Sequence, residues 1–149
     1  MRTITALILC VLTHVALAAD GGLPLERASK AYLAKGSDSF IPSLVKGSPL
    51  ENDRGALSQS TILKKLEPHS GMYQDYELIY EKTITSKIRL VYFALNFEKT
   101  AMFGEIMYYK RGGEEVVTRL SLKTELFEIL PKESVIQLRG AAGHGGPSP

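Results

Sequence analysis

Between Pro68 and Pro131 the chain carries no proline, and its apolar residues alternate with polar ones instead of recurring at helical spacing. A period of two marks strands, and the interior ladders of a multi-stranded sheet exclude proline. Four strands are predicted, about Asp75–Ile84, Lys87–Phe97, Ala101–Lys110 and Glu115–Thr124. They are joined by Thr85-Ser86, by Glu98-Lys99-Thr100 and by Arg111-Gly112-Gly113-Glu114. Links this short admit only antiparallel hairpins, because a parallel crossover takes about a dozen residues or more.

The Gly112-Gly113 pair sets a register. Two glycines supply the positive φ angles of a two-residue primed turn. Pairing Arg111 with Glu114 places Tyr109 opposite Val116, Met107 opposite Thr118, Glu105 opposite Leu120 and Phe103 opposite Leu122. One face then holds Phe103, Met107, Tyr109, Val116, Leu120 and Leu122, and is expected to be the core face, since a one-residue slip would bury Arg119. The second strand is apolar on both faces, Leu90, Tyr92 and Ala94 against Val91, Phe93 and Leu95. Such a strand is central, or its outer face meets a partner.

Upstream the period is helical. Pro24 suits a first helical position; Leu25, Ala28, Tyr32 and Leu33 follow at helical spacing, and Gly36 is a stop. Ser37 or Asp38 caps a second short helix with Phe40, Ile41, Leu44 and Val45, and Pro42 is tolerated near its first turn. After a polar loop, Gly47 to Gly55, a third helix over about Ala56–Leu66 is expected to bury Leu57, Ile62, Leu63 and Leu66, with Pro68 and Gly71 ending it. The expected class is α+β, with N-terminal helices packed on a curved four-stranded antiparallel sheet.

Residues 1–18 have a basic start, an apolar run from Ile4 and an Ala16-Leu17-Ala18 ending, the pattern of a secretory signal peptide. The run is shorter than the roughly 20 residues of a membrane span and is followed by Asp20-Gly21-Gly22. Domain boundaries follow: 1–18 signal peptide, 19–139 a single α+β domain, and 140–149 a Gly/Pro tail with no large apolar residue, expected to be disordered. The expected location is exported, either periplasmic or secreted, with no membrane anchor after processing. Cys10, the one cysteine, leaves with the signal, so disulfides, a thiol nucleophile and thiolate metal sites are excluded from the mature chain. With Arg2 removed from the 18 basic residues, against 16 acidic ones, the net charge is +1. No basic block suggests nucleic acid. Neither Asn52 nor Asn96 begins a glycosylation sequence. Val135–Leu138 would add an edge strand or a helical turn.

Three helices followed by a four-strand meander resembles the NTF2-like, or cystatin-like, superfamily. The segments Gly71-Met72-Tyr73-Gln74-Asp75-Tyr76-Glu77 and Leu90-Val91-Tyr92-Phe93-Ala94-Leu95-Asn96-Phe97-Glu98-Lys99 look like those of small exported bacterial members without an assigned activity. The resemblance spans about Leu25 to Pro131. It implies a curved sheet around a helix, an apolar pocket open at one end, and dimers formed through the sheet. Enzymes of that superfamily, among them ketosteroid isomerases and dehydratases, use Asp, His and Tyr in the pocket; no matching set stands here, and no catalytic residue is carried over. Fold alone does not give function.

Glu105 is the sharpest candidate. On the predicted core face it lies between Phe103 and Met107, where burial would raise its pKa and suit a general base or a ligand-gripping group. A bulge near Gly104, or a place at the open rim, would leave it solvated instead. Tyr76, Tyr80, Tyr92, Tyr108 and Tyr109 either line a pocket or an adhesive outer face, or reflect the preference of aromatic residues for strands. The ligand-binding set expected is Glu105, Tyr92, Tyr109, Phe103 and Met107. His69 has no ligand spacing around it, so no metal and no cofactor is expected. Phosphate loops and a nucleophile elbow are absent. Three functions remain: a non-catalytic exported module holding a small apolar ligand or a protein partner; an enzyme using Glu105 and a tyrosine for proton transfer or dehydration; and a homodimeric structural protein.

Overall fold

A computed structural model of the chain describes residues 23–130. The expected signal peptide, the Val135–Leu138 segment and the 140–149 tail lie outside the described residues. Helix α1 spans Pro24–Lys35, a 3-10 turn covers Ser37–Ser39, α2 spans Phe40–Val45 and α3 Arg54–Ser70; strands β1 Tyr73–Thr85, β2 Ile88–Phe97, β3 Ala101–Arg111 and β4 Glu114–Lys123 follow. The strands form one antiparallel sheet in the order β1-β2-β3-β4, with the helices packed on one face. This is the expected α+β class.

The helices form for the reasons their sequences suggest, with corrections, among them that the residue before α2 is Ser39, which makes no side-chain cap, rather than Ser37 or Asp38. In α1 the stripe Leu25, Ala28 and Tyr32 is buried, and Gly36, at φ 84°, stops the helix. Leu33, expected in that stripe, is 60% exposed. A six-residue helix is too short to persist alone, yet Phe40, Ile41, Leu44 and Val45 of α2 are all fully buried. At roughly 1.5–3 kcal/mol for each large apolar side chain, packing rather than propensity holds it. The Asp53 carboxylate caps α3 by accepting from the Ala56 N–H at 2.7 Å. The helix runs through Pro68 to Ser70, one turn beyond the expected end, because proline removes one N–H but the chain turns away only at Gly71, φ 79°. Its buried residues are Ala56, Leu63 and Ser70, with Leu66 half-buried. Leu57 and Ile62 are exposed, since they lie outside the stripe at three- and four-residue spacing that meets the core.

The sheet brings a larger correction. The Gly112-Gly113 turn forms as expected, with φ of 59° and 100°, and pairs Arg111 with Glu114 and Tyr109 with Val116. Beyond Tyr108↔Val117 the register shifts, and Met107 faces Arg119. Thr118 is the extra residue of this bulge, its hydroxyl donating to the Met107 carbonyl at 3.2 Å. The bulge lets Val117, Leu120 and Leu122 all face the helices while Arg119 stays outside. It removes the conflict that made the other face look like the core. Met102, Ile106 and Tyr108 are the core residues of β3, and Phe103, Glu105, Met107 and Tyr109 occupy the opposite face.

Gly104 lies directly beneath the Phe93 ring, its cross-strand partner; a Cβ there would run into three ring carbons. Strand β2 is central and buried on both sides. Val91, Phe93, Leu95 and Phe97 meet the helices, and Tyr92 is covered on the other face by Ile129 and Leu130, together with Phe103 and Leu126. The chain's own segment after β4 therefore serves as the partner for that face.

Candidate functional site

Glu105, Phe103, Met107, Tyr92 and Tyr109 share one sheet face, but that face is the one crossed by residues 126–130. The Glu105 side chain is 13% exposed and pairs with the Arg119 guanidinium at 3.2 Å. Burial, followed by the charge of Glu105 and a hydrogen bond with it, pushes the Tyr92 phenol up to about 12. Glu105 is thus a paired carboxylate, and Tyr92 and Phe103 are packing residues beneath Ile129 and Leu130. Tyr80 lies 6.0 Å from Tyr92, centroid to centroid. Tyr109 is 37% exposed.

Tyr108 is on the other face, beneath a cluster that crosses the sheet. The Arg89 guanidinium of β2 sits 4.6 Å from the centre of the Tyr108 ring of β3, bonds to Glu115 of β4 and pairs with Glu81 of β1 at 3.0 Å. All four strands contribute. The hydrogen bond that Arg89 donates to Glu115 holds the guanidinium pKa above its ordinary value, against the burial of the group. Every charge in this cluster has a partner, and its evident work is to tie the strands together.

An open cleft of about 640 Å³ lies at the opposite end of the helices. Its floor is Tyr32 stacked on Tyr73, ring centres 4.2 Å apart. Tyr32 donates to Glu67 at 2.7 Å and the Ser37 hydroxyl donates to the other oxygen of the same carboxylate at 3.0 Å. The Tyr73 hydroxyl bonds to that of Ser29 at 2.8 Å. Burial first, and then the bond to Glu67, raise the Tyr32 phenol pKa; burial pushes Tyr73 up to about 12. Both phenols therefore stay neutral at physiological pH, and Glu67 is gripped by neutral donors.

The rim is apolar. Leu33 is 60% exposed and Met72 is 72% exposed, and both line the opening. Glu98, from the β2–β3 link, also lines the cleft, and its carboxylate accepts from the Met72 N–H at 3.1 Å. The backbone N–H of Glu98 returns the bond to the Met72 carbonyl at 3.1 Å. Gly71 makes this closure feasible: it needs a positive φ, and a Cβ there would collide with the Glu98 side chain. The cleft gathers residues from the end of α1, from the end of α3 and the start of β1, and Glu98, which no sequence spacing relates. Leu33 carried the one usable signal, an apolar residue beside the buried stripe of α1 that the core does not absorb.

His69 is exposed, and among the described residues no group of three or more His, Cys, Asp or Glu side chains is placed to hold a metal ion. No family model, no curated protein and no solved structure matches this chain.

Proposed function

We propose that this chain is an exported, non-catalytic binding module that holds a small, largely apolar ligand in the cleft between the C-terminal ends of α1 and α3. The carrying observation is the combination of volume and lining. About 640 Å³ is of the size that encloses a small molecule, and two well-exposed apolar side chains, Leu33 and Met72, border a stacked tyrosine floor. The enzymatic alternative is less well supported, because Glu105 is ion-paired with Arg119 and lies on the sheet face away from the cleft. Export rests on residues 1–18, and intact mass of exported protein beginning at Ala19 is its test. The NTF2-like reading rests on the order of the elements.

The binding test is a panel of small aromatic and aliphatic fragments of positive, zero and negative charge, titrated into the ¹⁵N-labelled mature chain. Amide signals of Leu33, Gly36, Gly71 and Met72 should move together, and Leu33→Ser with Met72→Ser should weaken the response. A panel that moves none of them, or only signals from β3 and β4, refutes the reading. A homodimer is the second reading, favoured by Leu78 and Ile84, 53% and 49% exposed on edge strand β1. The solution mass of the same sample decides it.

A further inference from the structure

We infer that the cleft selects an organic cation, a molecule with an apolar body and a protonated amine or quaternary ammonium head. The inference rests on the reading of the cleft as a binding site. Among the described residues two carboxylates line it, Glu67 and Glu98, and no lysine, arginine or histidine does. Among the described residues neither carboxylate has a cationic side chain within ion-pairing distance.

Independent of these charges, α1 and α3 both terminate at the cleft, where Gly36 and Gly71 form part of its wall. Aligned peptide dipoles leave a partial negative charge at a helix C-terminus, which favours a cation within about one turn. The helix ends and the charged side chains that line the cleft are thus of one sign; Lys35 and His69, in the last turns of α1 and α3, are not part of its lining. The carboxylates are also preorganised. Tyr32 and Ser37 fix both oxygens of Glu67, and the Met72 N–H fixes one oxygen of Glu98, so little side-chain freedom is lost on binding. Leu33, Met72 and the tyrosine floor provide apolar contact for the remainder of the ligand.

Three probes of like shape separate charge from shape: 2-phenylethylamine (protonated at pH 7), 2-phenylethanol and phenylacetate. The amine should shift the Gly36, Gly71 and Met72 amide signals with an affinity about tenfold or more above that of the alcohol, the scale of one hydrogen bond to a charged group. Phenylacetate should bind most weakly. Glu98→Gln keeps an acceptor for the Met72 N–H, and should lower amine affinity roughly tenfold while leaving the alcohol unaffected; Glu67→Gln should act likewise. Added salt should weaken the amine alone. Alcohol or phenylacetate binding as tightly as the amine overturns the inference while leaving the cleft a binding site. So does an unchanged amine affinity in a folded Glu98→Gln protein. If no probe moves these signals, the site itself fails and the inference falls with it.

Discussion

Gly104→Ala sets two effects of opposite sign against each other. Glycine inside a strand is less favourable than alanine by roughly 0.5–1 kcal/mol, so propensity alone predicts a more stable protein. Packing predicts the reverse. The new methyl would overlap the Phe93 ring, which is fully buried and belongs to the core cluster beneath the helices. Extra volume forced into a filled core costs about 1–3 kcal/mol. The ring has no exposed edge along which to escape, so the packing effect wins and a net loss of about 1–2 kcal/mol is expected. At about 4 °C per kcal/mol for a chain of this size, Tm falls by about 4–8 °C. Urea unfolding should show a lower midpoint with an unchanged slope, since the surface exposed on unfolding is the same. In a Phe93→Leu background, the same Gly104→Ala change should become neutral or stabilising, because the ring it strikes is gone. A rise in midpoint on Gly104→Ala alone, or equal losses in both backgrounds, would refute the seating of Phe93 over Gly104.

Arg89→Ala should lower stability by about 2 kcal/mol, between the 3–5 of a buried pair that loses one member and the 0–1 of a surface pair. The side chains of Arg89, Glu115 and Glu81 are 16%, 25% and 43% exposed. Arg89→Lys should recover only part of this, having charge without the planar fork; a loss under about 0.5 kcal/mol by urea unfolding would show that the cluster ties nothing together. Glu105→Gln should bring the Tyr92 titration down from about 12 toward the ordinary value near 10, with burial holding it above that value. An unchanged Tyr92 titration by NMR would break the assigned contact. The raised phenols of Tyr73 and Tyr92 also couple stability to pH. Their neutral forms are favoured in the fold, so their contribution is complete below pH about 10, where unfolded tyrosine titrates, and is lost as pH rises toward about 12. The urea midpoint should therefore decline above pH 10, and less steeply in Glu105→Gln; a midpoint level from pH 9 to 12 would contradict both assignments.

The local rules of the chain were legible in the sequence because they involve neighbours. Gly112-Gly113 dictates its own turn, the three short links dictate antiparallel strands, and the spacing of Leu25, Ala28 and Tyr32 dictates the buried stripe of α1. The two-sided apolar pattern of Leu90 to Phe97 was enough to make β2 central. Which face of β3 meets the helices was not legible, for the same physical reason that made β2 readable. Phe103, Met107 and Tyr109 on one side are as apolar as Met102, Ile106 and Tyr108 on the other, so alternation shows that there are two faces without ranking them. The choice falls to contacts distant in sequence: the Thr118 bulge that moves Arg119 outward, the Phe93 ring that requires glycine at 104, and the segment carrying Ile129 and Leu130 that covers Tyr92. Placing Glu105 on the core face failed with that choice. The cleft was beyond sequence reasoning altogether, because it exists only where the ends of α1 and α3 and the β2–β3 link converge, and a cavity is a property of packed elements rather than of any one of them.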